Sequence, residues 1–336
     1  MMKYIHVVTL VVFALPLFAQ EWVVVGEDFL LFQNENKPEV LVNGVRSKSW
    51  ALDSSSCRLW LTDESGKRLR SFIHGVESES QAFEGSIVSD VEKHHFFTKT
   101  DLGEIQLRSS SGSILSTIEA KNSQFITKIR EGASGELWTL NQGKIDTQRD
   151  SFWLSQINSV TGTNKNIFIE SDIDLWGTTD LVLDDKLGHL WVGYSSTTPK
   201  HTYSPRVKLF SKDGILKSNY KWEERGLFFG GCLEKSGGFL MARDIPTMPY
   251  TVPVYSFLER LIPNNSPKPV MELNLNLLVD SLFCDSENVF MAVHSILGGQ
   301  ERQILRSSKD LSNPPEVIKV LPGRAQKLWV CGGRKS

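Results

Sequence analysis

The stretch Leu181–Tyr194, LVLDDKLGHLWVGY, constrains what this chain can fold into more than any other. It reads as a short apolar strand, a turn carrying Asp and Gly, and a second strand that opens on Leu-Trp. Weaker copies recur along the chain. They are WALDSSSCRLWL (Trp50–Leu61), IVSDVEKHHFFT (Ile87–Thr98), TKIREGASGELWTL (Thr127–Leu140), FFGGCLEKSGGFLMA (Phe228–Ala242) and LFCDSENVFMAV (Leu282–Val293), with a partial copy KLWVCGG (Lys327–Gly333).

Asp53, Asp90, Glu131 and Asp184 each stand seven residues before Trp60, Phe97, Trp138 and Trp191 in turn. The fifth copy keeps the length without the acid, and the sixth has a shorter turn. Successive anchors lie about 37 to 53 residues apart, the repeat length of propeller blades. An acidic side chain can satisfy backbone donors in the turn, and Gly supplies its positive φ. The aromatic that opens the next strand is expected to fill the space between adjoining sheets.

Two more short strands follow each anchor pair. Glu104–Ile118 is a hairpin turning at Ser-Gly, and Arg206–Tyr220 one turning at Asp-Gly; Arg302–Val320 fits the same plan. Four strands per repeat make a propeller blade. The C-terminal KLWVCGG is one strand without partners, and Glu21–Val42 is about three strands without a leading one. Joined, they complete a blade and remove the free sheet edges. The fold expected is all-β, a propeller of seven four-stranded blades, ahead of eight, or of six if one weak copy is not a blade. Tyr255–Leu261 is the best short exception, with a helical period.

At LVLDDKLGHLWVGY the chain resembles the two-component-regulator type of propeller repeat, in which Asp, Gly and Leu-Trp-Val/Ile-Gly follow in that order. Glu131–Ile145, EGASGELWTLNQGKI, is similar to the repeat of streptogramin-lyase-like propellers, and NHL-type propellers share the same grammar. The resemblance covers most of the chain at blade level and is close in two or three blades. It implies the fold. It implies little about activity, because propellers host sensors, scaffolds, lyases and hydrolases alike.

Composition narrows the partners. Lys plus Arg is 37 and Asp plus Glu 39, a formal net charge of -2. That gives no electrostatic case for nucleic acid or an anionic membrane. Residues 1–19 have a positive start at Lys3, an apolar run from Val7 to Phe18 and a small residue at Ala19. This outlines a secretory signal peptide, leaving 20–336 as one exported or periplasmic propeller domain with no membrane insertion after cleavage. Cys57, Cys232, Cys284 and Cys331 permit two disulfides or four small buried thiols, and no CxxC or Cys/His spacing suggests zinc.

Function is expected where loops interrupt the regular blades. Ser195–Pro205, Arg243–Pro253 and His294–Glu301 are long and uneven, whereas Thr62–Gly66 and Thr100–Gly103 are tight. In a four-stranded blade these loops open on the face that also carries the blade-to-blade connections. His201, Tyr203, Arg243, Asp244, Tyr250 and His294 are therefore the candidate ligand-binding residues. His could act as acid or base, and Arg could clamp a carboxylate or phosphate. Other features rank lower. His94-His95 suits blade packing better than a metal. Asp172, Asp174 and Asp180 suit turns better than calcium, and Asn264-Asn265-Ser266 is a formal glycosylation acceptor. No GxSxG, HExxH or P-loop pattern occurs, so no catalytic residue, metal site or cofactor is assigned. The expectation is a binding module for a protein or small molecule on the loop face. The alternative is a propeller enzyme, a lyase or lactone hydrolase that could be metal-dependent, with its site at the channel mouth.

Overall fold

The computed structural model describes residues 21–331 apart from 35–36, 121–122, 133, 145–149, 172–174, 176–177, 185, 198–202, 224–225, 235–237, 247–253, 274–275, 286, 297–301, 309 and 312. The expected leader at 1–19 lies outside the described residues. Within them the chain is a seven-bladed β-propeller of four-stranded antiparallel sheets.

Blade 1 contains β1 (Glu21–Gly26), β2 (Phe29–Asn34) and β3 (Val40–Asn43). Blade 2 is β4 (Ser47–Asp53), β5 (Arg58–Asp63), β6 (Arg68–Ile73) and β7 (Val76–Ala82). Blade 3 is β8 (Gly85–Ile87), β9 (His95–Thr100), β10 (Glu104–Ser109) and β11 (Ile114–Glu119). Blade 4 is β12 (Ile126–Glu131), β13 (Leu137–Lys144), β14 (Asp150–Ile157) and β15 (Asn164–Ser171). Blade 5 is β16 (Asp180–Asp184), β17 (His189–Thr197), β18 (Tyr203–Ser211) and β19 (Leu216–Lys221). Blade 6 is β20 (Phe228–Leu233), β21 (Phe239–Pro246), β22 (Val254–Leu261) and β23 (Lys268–Glu272). Blade 7 is β24 (Leu277–Cys284), β25 (Asn288–Ser295), β26 (Arg302–Ser308) and β27 (Glu316–Val320). The last strand, β28 (Ala325–Cys331), returns to blade 1 and pairs with β1, from Glu21 against Cys331 to Val25 against Lys327.

The core lies between blades rather than inside any one of them. Each of seven apolar clusters joins two neighbouring blades. Alternate residues of a strand point to opposite faces, and here both faces are covered. Val23 and Val25 pack with Leu59 and Leu61 of blade 2, while Trp22 and Val24 pack with Phe290 and Ala292 of blade 7. This is why second strands such as β1 (EWVVVG) are buried along their whole length. Trp60, Trp138 and Trp191 are fully buried, as the repeat predicts. Trp191 stacks on Phe239 of blade 6 with ring centroids 5.1 Å apart, and Trp60 stacks on Phe96 of blade 3 at 5.6 Å.

The turn acids divide into two groups. Asp53 accepts the Ser55 N–H at 3.0 Å, Asp184 the N–H groups of Lys186 and Leu187, and Asp285 those of Glu287 and Asn288. Gly188 then completes the Asp184 turn at φ 62. Asp90 and Glu131 keep the spacing but do other work: Asp90 meets Arg130, and Glu131 meets His95. Tyr255–Leu261 is corrected from helix to strand. It lies in β22, paired on both edges by β21 and β23, and a seven-residue helical period cannot outcompete two ladders of backbone bonds.

The cysteines also resolve. Cys232 and Cys284, at the ends of β20 and β24, are joined by a disulfide that ties blade 6 to blade 7. Cys57 and Cys331 are buried free thiols in hydrogen-bond contact across the interface of blades 1 and 2. That contact, reinforced by burial, pushes the Cys331 thiol well above its ordinary range. Alkylating the denatured protein without reductant should label Cys57 and Cys331 and spare Cys232 and Cys284, as peptide mapping would read. Cys284→Ala should cost roughly 2–4 kcal/mol in denaturant unfolding.

Candidate functional site

The seven innermost strands, β28, β4, β8, β12, β16, β20 and β24, stand around the axis and enclose a cavity of about 360 Å³. Five of them carry a one-residue bulge against their partner strand. The extra residues are Gln326, Lys48, Thr127, Phe229 and Asp280, and all five line the cavity. A bulge re-aims one side chain without ending the strand. The outer strands carry bulges too, so the device belongs to the blade in general. What distinguishes the inner set is that its residues meet around one axis. Gly230, at φ 130, follows the Phe229 bulge in a conformation that suits only glycine.

The residues beside the bulges serve the ring. Ser49 Oγ accepts the Ile87 N–H of blade 3 at 2.7 Å, and Ser281 Oγ accepts the Leu328 N–H of blade 1 at 3.1 Å. Ile129 N–H donates to the Val88 carbonyl at 2.7 Å. In β4, β12 and β24 one residue thus ties the inner strand to an adjoining blade while a neighbouring residue lines the channel.

Charge lines this channel. Lys128 Nζ lies 3.5 Å from Asp180 Oδ1. Lys128 keeps 30% of its side-chain surface open to channel water, yet protein walls surround it. This partial desolvation, with Lys327 and Arg130 adding repulsion, lowers its affinity for a proton despite Asp180. Burial opposes the Asp180 charge, but Lys128, Lys327 and Arg130 outweigh it and hold the carboxyl below its usual range. Arg130 sits 3.3 Å from Asp90 and 3.6 Å from Glu92. Two carboxylates and Asp180 together offset its desolvation and keep it charged.

Asp280 is the bulged residue of β24. One of its oxygens accepts from Arg324 Nε at 2.8 Å, and the other lies 2.9 Å from His294 Nδ1. With Nδ1–H donated to the carboxylate, Nε2 of a neutral ring is left as a proton acceptor. His294 therefore reaches the cavity wall through Asp280.

The other candidate residues lie elsewhere. His201 and Tyr250 are outside the described residues, as are most of the long loop tips. Tyr203 is half-buried at the start of β18, where its carbonyl accepts the Gly226 N–H. Arg243 is buried within blade 6, paired with Glu259 at 2.8 Å and lying over the rings of Trp222 and Phe257. Asp244 is buried and exchanges hydrogen bonds with the backbone of Leu227, fixing the entry to β20. Burial raises its pKa to about 6, against the opposing pull of those bonds and of Arg243. Asp172 and Asp174 lie outside the described residues, and Asp180 faces Lys128. Lys48, Lys128, Arg130, Asp280 and Lys327 were not picked out from sequence. Their one signal is charge recurring at alternate positions of inner strands, as in Lys128 and Arg130.

No family model matches the chain, and no curated protein does. Solved structures share its fold. Hydrazine synthase of Kuenenia stuttgartiensis superposes with a TM-score of 0.59 at 10% identity, covering 83% of this chain and 90% of that one. A candidate 6-phosphogluconolactonase from Bacteroides uniformis gives 0.57 at 9% identity, covering 93% and 99%. At such identities the likeness extends to the fold alone. Among the described residues no helix is long and apolar enough to cross a membrane.

Asp244 supplies a test of the buried wall. Its raised pKa means the folded state holds the proton more tightly than the unfolded chain does. Its contribution to stability is full below about pH 4 and is lost as pH rises through about 6. Asp244→Asn keeps an acceptor for Leu227 and abolishes that loss. The variant should gain on the wild type by roughly 1–3 kcal/mol between pH 4 and pH 7.5, read by thermal unfolding at both pH values.

Proposed function

We propose that this protein is an exported ligand-binding propeller that takes a small molecule into its central channel. The ring of bulged residues around one cavity carries this proposal. Cores of this kind have no structural need for Lys128, Asp180, Arg130 and Asp90 around their axis. Buried ion pairs contribute little net stability, and perturbed charged groups in a concave site are where ligands are expected. The cavity volume suits a molecule of one ring or one amino acid, not a polymer. Export rests on the leader outlined at 1–19. Tyr203 and His294 belong to the loop face through which a ligand enters, and Arg243 and Asp244 stiffen the blade behind it.

A second possibility is an enzyme, favoured by one observation: the Asp280–His294 pair has the arrangement of an oriented general base. A lactone or ester hydrolase would use Nε2 to activate water, and His294→Gln would abolish turnover of simple aldonolactones with folding intact. Turnover that survives the substitution removes His294 from the chemistry.

Occlusion tests the channel directly. Thr178 is exposed and lines the cavity, outside the ion pairs. Wild type should show raised melting temperatures with some members of a panel of sugars, polyols and carboxylic acids, and Thr178→Trp should abolish those shifts while keeping its own fold. Shifts of equal size in the variant would move the site out to the loop face and favour a protein or surface ligand.

A further inference from the structure

The charges around the cavity do not balance in their pairing. Arg130 is engaged by Asp90 and Glu92, and Lys128 by Asp180. Asp280 already receives Arg324 and His294. Lys48 and Lys327 also line the cavity, and among the described residues neither has a carboxylate at ion-pair distance. Lys327 Nζ rests 5.8 Å from the centroid of the Trp329 ring. It acts across the channel on both Lys128 and Asp180. Lys48 is the bulged residue of β4, in the blade next to the one that supplies Lys327, and it lines the cavity on the side of the Gly66 turn. It adds its field to that of Lys99 nearby.

Four cations thus line the cavity against three carboxylates, and the two ammonium groups without a carboxylate at ion-pair distance come from adjoining blades. Low-dielectric walls strengthen the field of such charges above its value in open water. The carboxylates, all engaged, leave acceptor oxygens for hydroxyl groups of a ligand, which ordinary hydrogen bonds would hold.

Building on the channel as the ligand site, we infer that its ligand is a small hydroxylated organic anion whose carboxylate or phosphate group meets Lys48 and Lys327. The neutral part of the molecule lies toward Asp180 and Thr178. A cationic or wholly neutral ligand would leave both ammonium groups without a counter-charge.

A matched pair of probes tests this without any variant. Glucuronate and glucose differ only in a carboxylate at the sixth carbon. By calorimetry at low salt, glucuronate should bind the wild-type protein about tenfold or more tightly than glucose, the worth of one charge-assisted contact. The gap should narrow as salt is raised. Inorganic phosphate as competitor separates the two sources of anion, since displacement of glucuronate at lower concentration than acetate requires marks a phosphate site. Lys48→Met and Lys327→Met should each weaken glucuronate by about tenfold and leave glucose unchanged, with Lys186→Met as the silent control. Equal binding of glucose and glucuronate, or anion affinity retained in both methionine variants, overturns the inference; if Thr178→Trp still blocks binding, the channel stands as the site. Glucuronate binding that Thr178→Trp leaves intact rejects the channel itself. Failure of glucuronate, acetate and phosphate to bind at millimolar concentration overturns the inference.

Discussion

The structure depends on the burial of apolar side chains between neighbouring blades. No sheet of this ring has a core of its own. Each has two apolar faces, and each face is covered by a neighbouring blade. An open arc of blades would leave two such faces in water and two end sheets exposed. The pairing of β1 with β28 prevents this by making the last strand of the chain the inner strand of its first blade. The disulfide between Cys232 and Cys284 and the thiol contact between Cys57 and Cys331 reinforce two of the seven interfaces at the ends of inner strands.

Closure of the ring creates an axial cavity that apolar packing cannot fill. Seven inner strands converge there, and residues from all seven line it. The interfaces take the apolar residues. The axis takes a mixed lining, with Trp50, Ile87 and Phe229 beside the charges, and the bulges sort neighbouring residues: Lys48 lines the channel while Ser49 bonds to the next blade, and Asp280 lines it while Ser281 does the same. One local irregularity both stitches the ring and furnishes the channel. Charges held in this way are preorganised, because the strands that present them are locked from both sides.

The buried polar groups fall into two kinds. Arg243, Glu259 and Asp244 are consumed within the protein, bracing a blade and the approach to its inner strand. Lys48, Lys327 and Asp280 line the cavity, and His294 meets its wall through Asp280. Residue type does not separate these kinds. An arginine beside an aspartate at the start of a long loop has every attribute of a ligand clamp until its partner on the neighbouring strand is known.

The fold was legible from the recurrence of one phrase, because blade packing imposes the same demand at every interface: an aromatic opening the second strand, and a tight turn before it. Trp60, Trp138 and Trp191 met that demand where the spacing placed them, and the unpartnered ends at Glu21–Val42 and Lys327–Gly333 implied their own pairing. The site was not legible. A bulge is a mismatch between two strands, so Lys48, Asp280 and Gln326 carry no mark in the sequence of one strand alone. Which cysteines met, which acids capped turns and which faced arginines, and whether Tyr255–Leu261 became strand were all decided by neighbours distant in the chain. Repetition along the sequence determined the ring; the register between strands determined what stands at its centre.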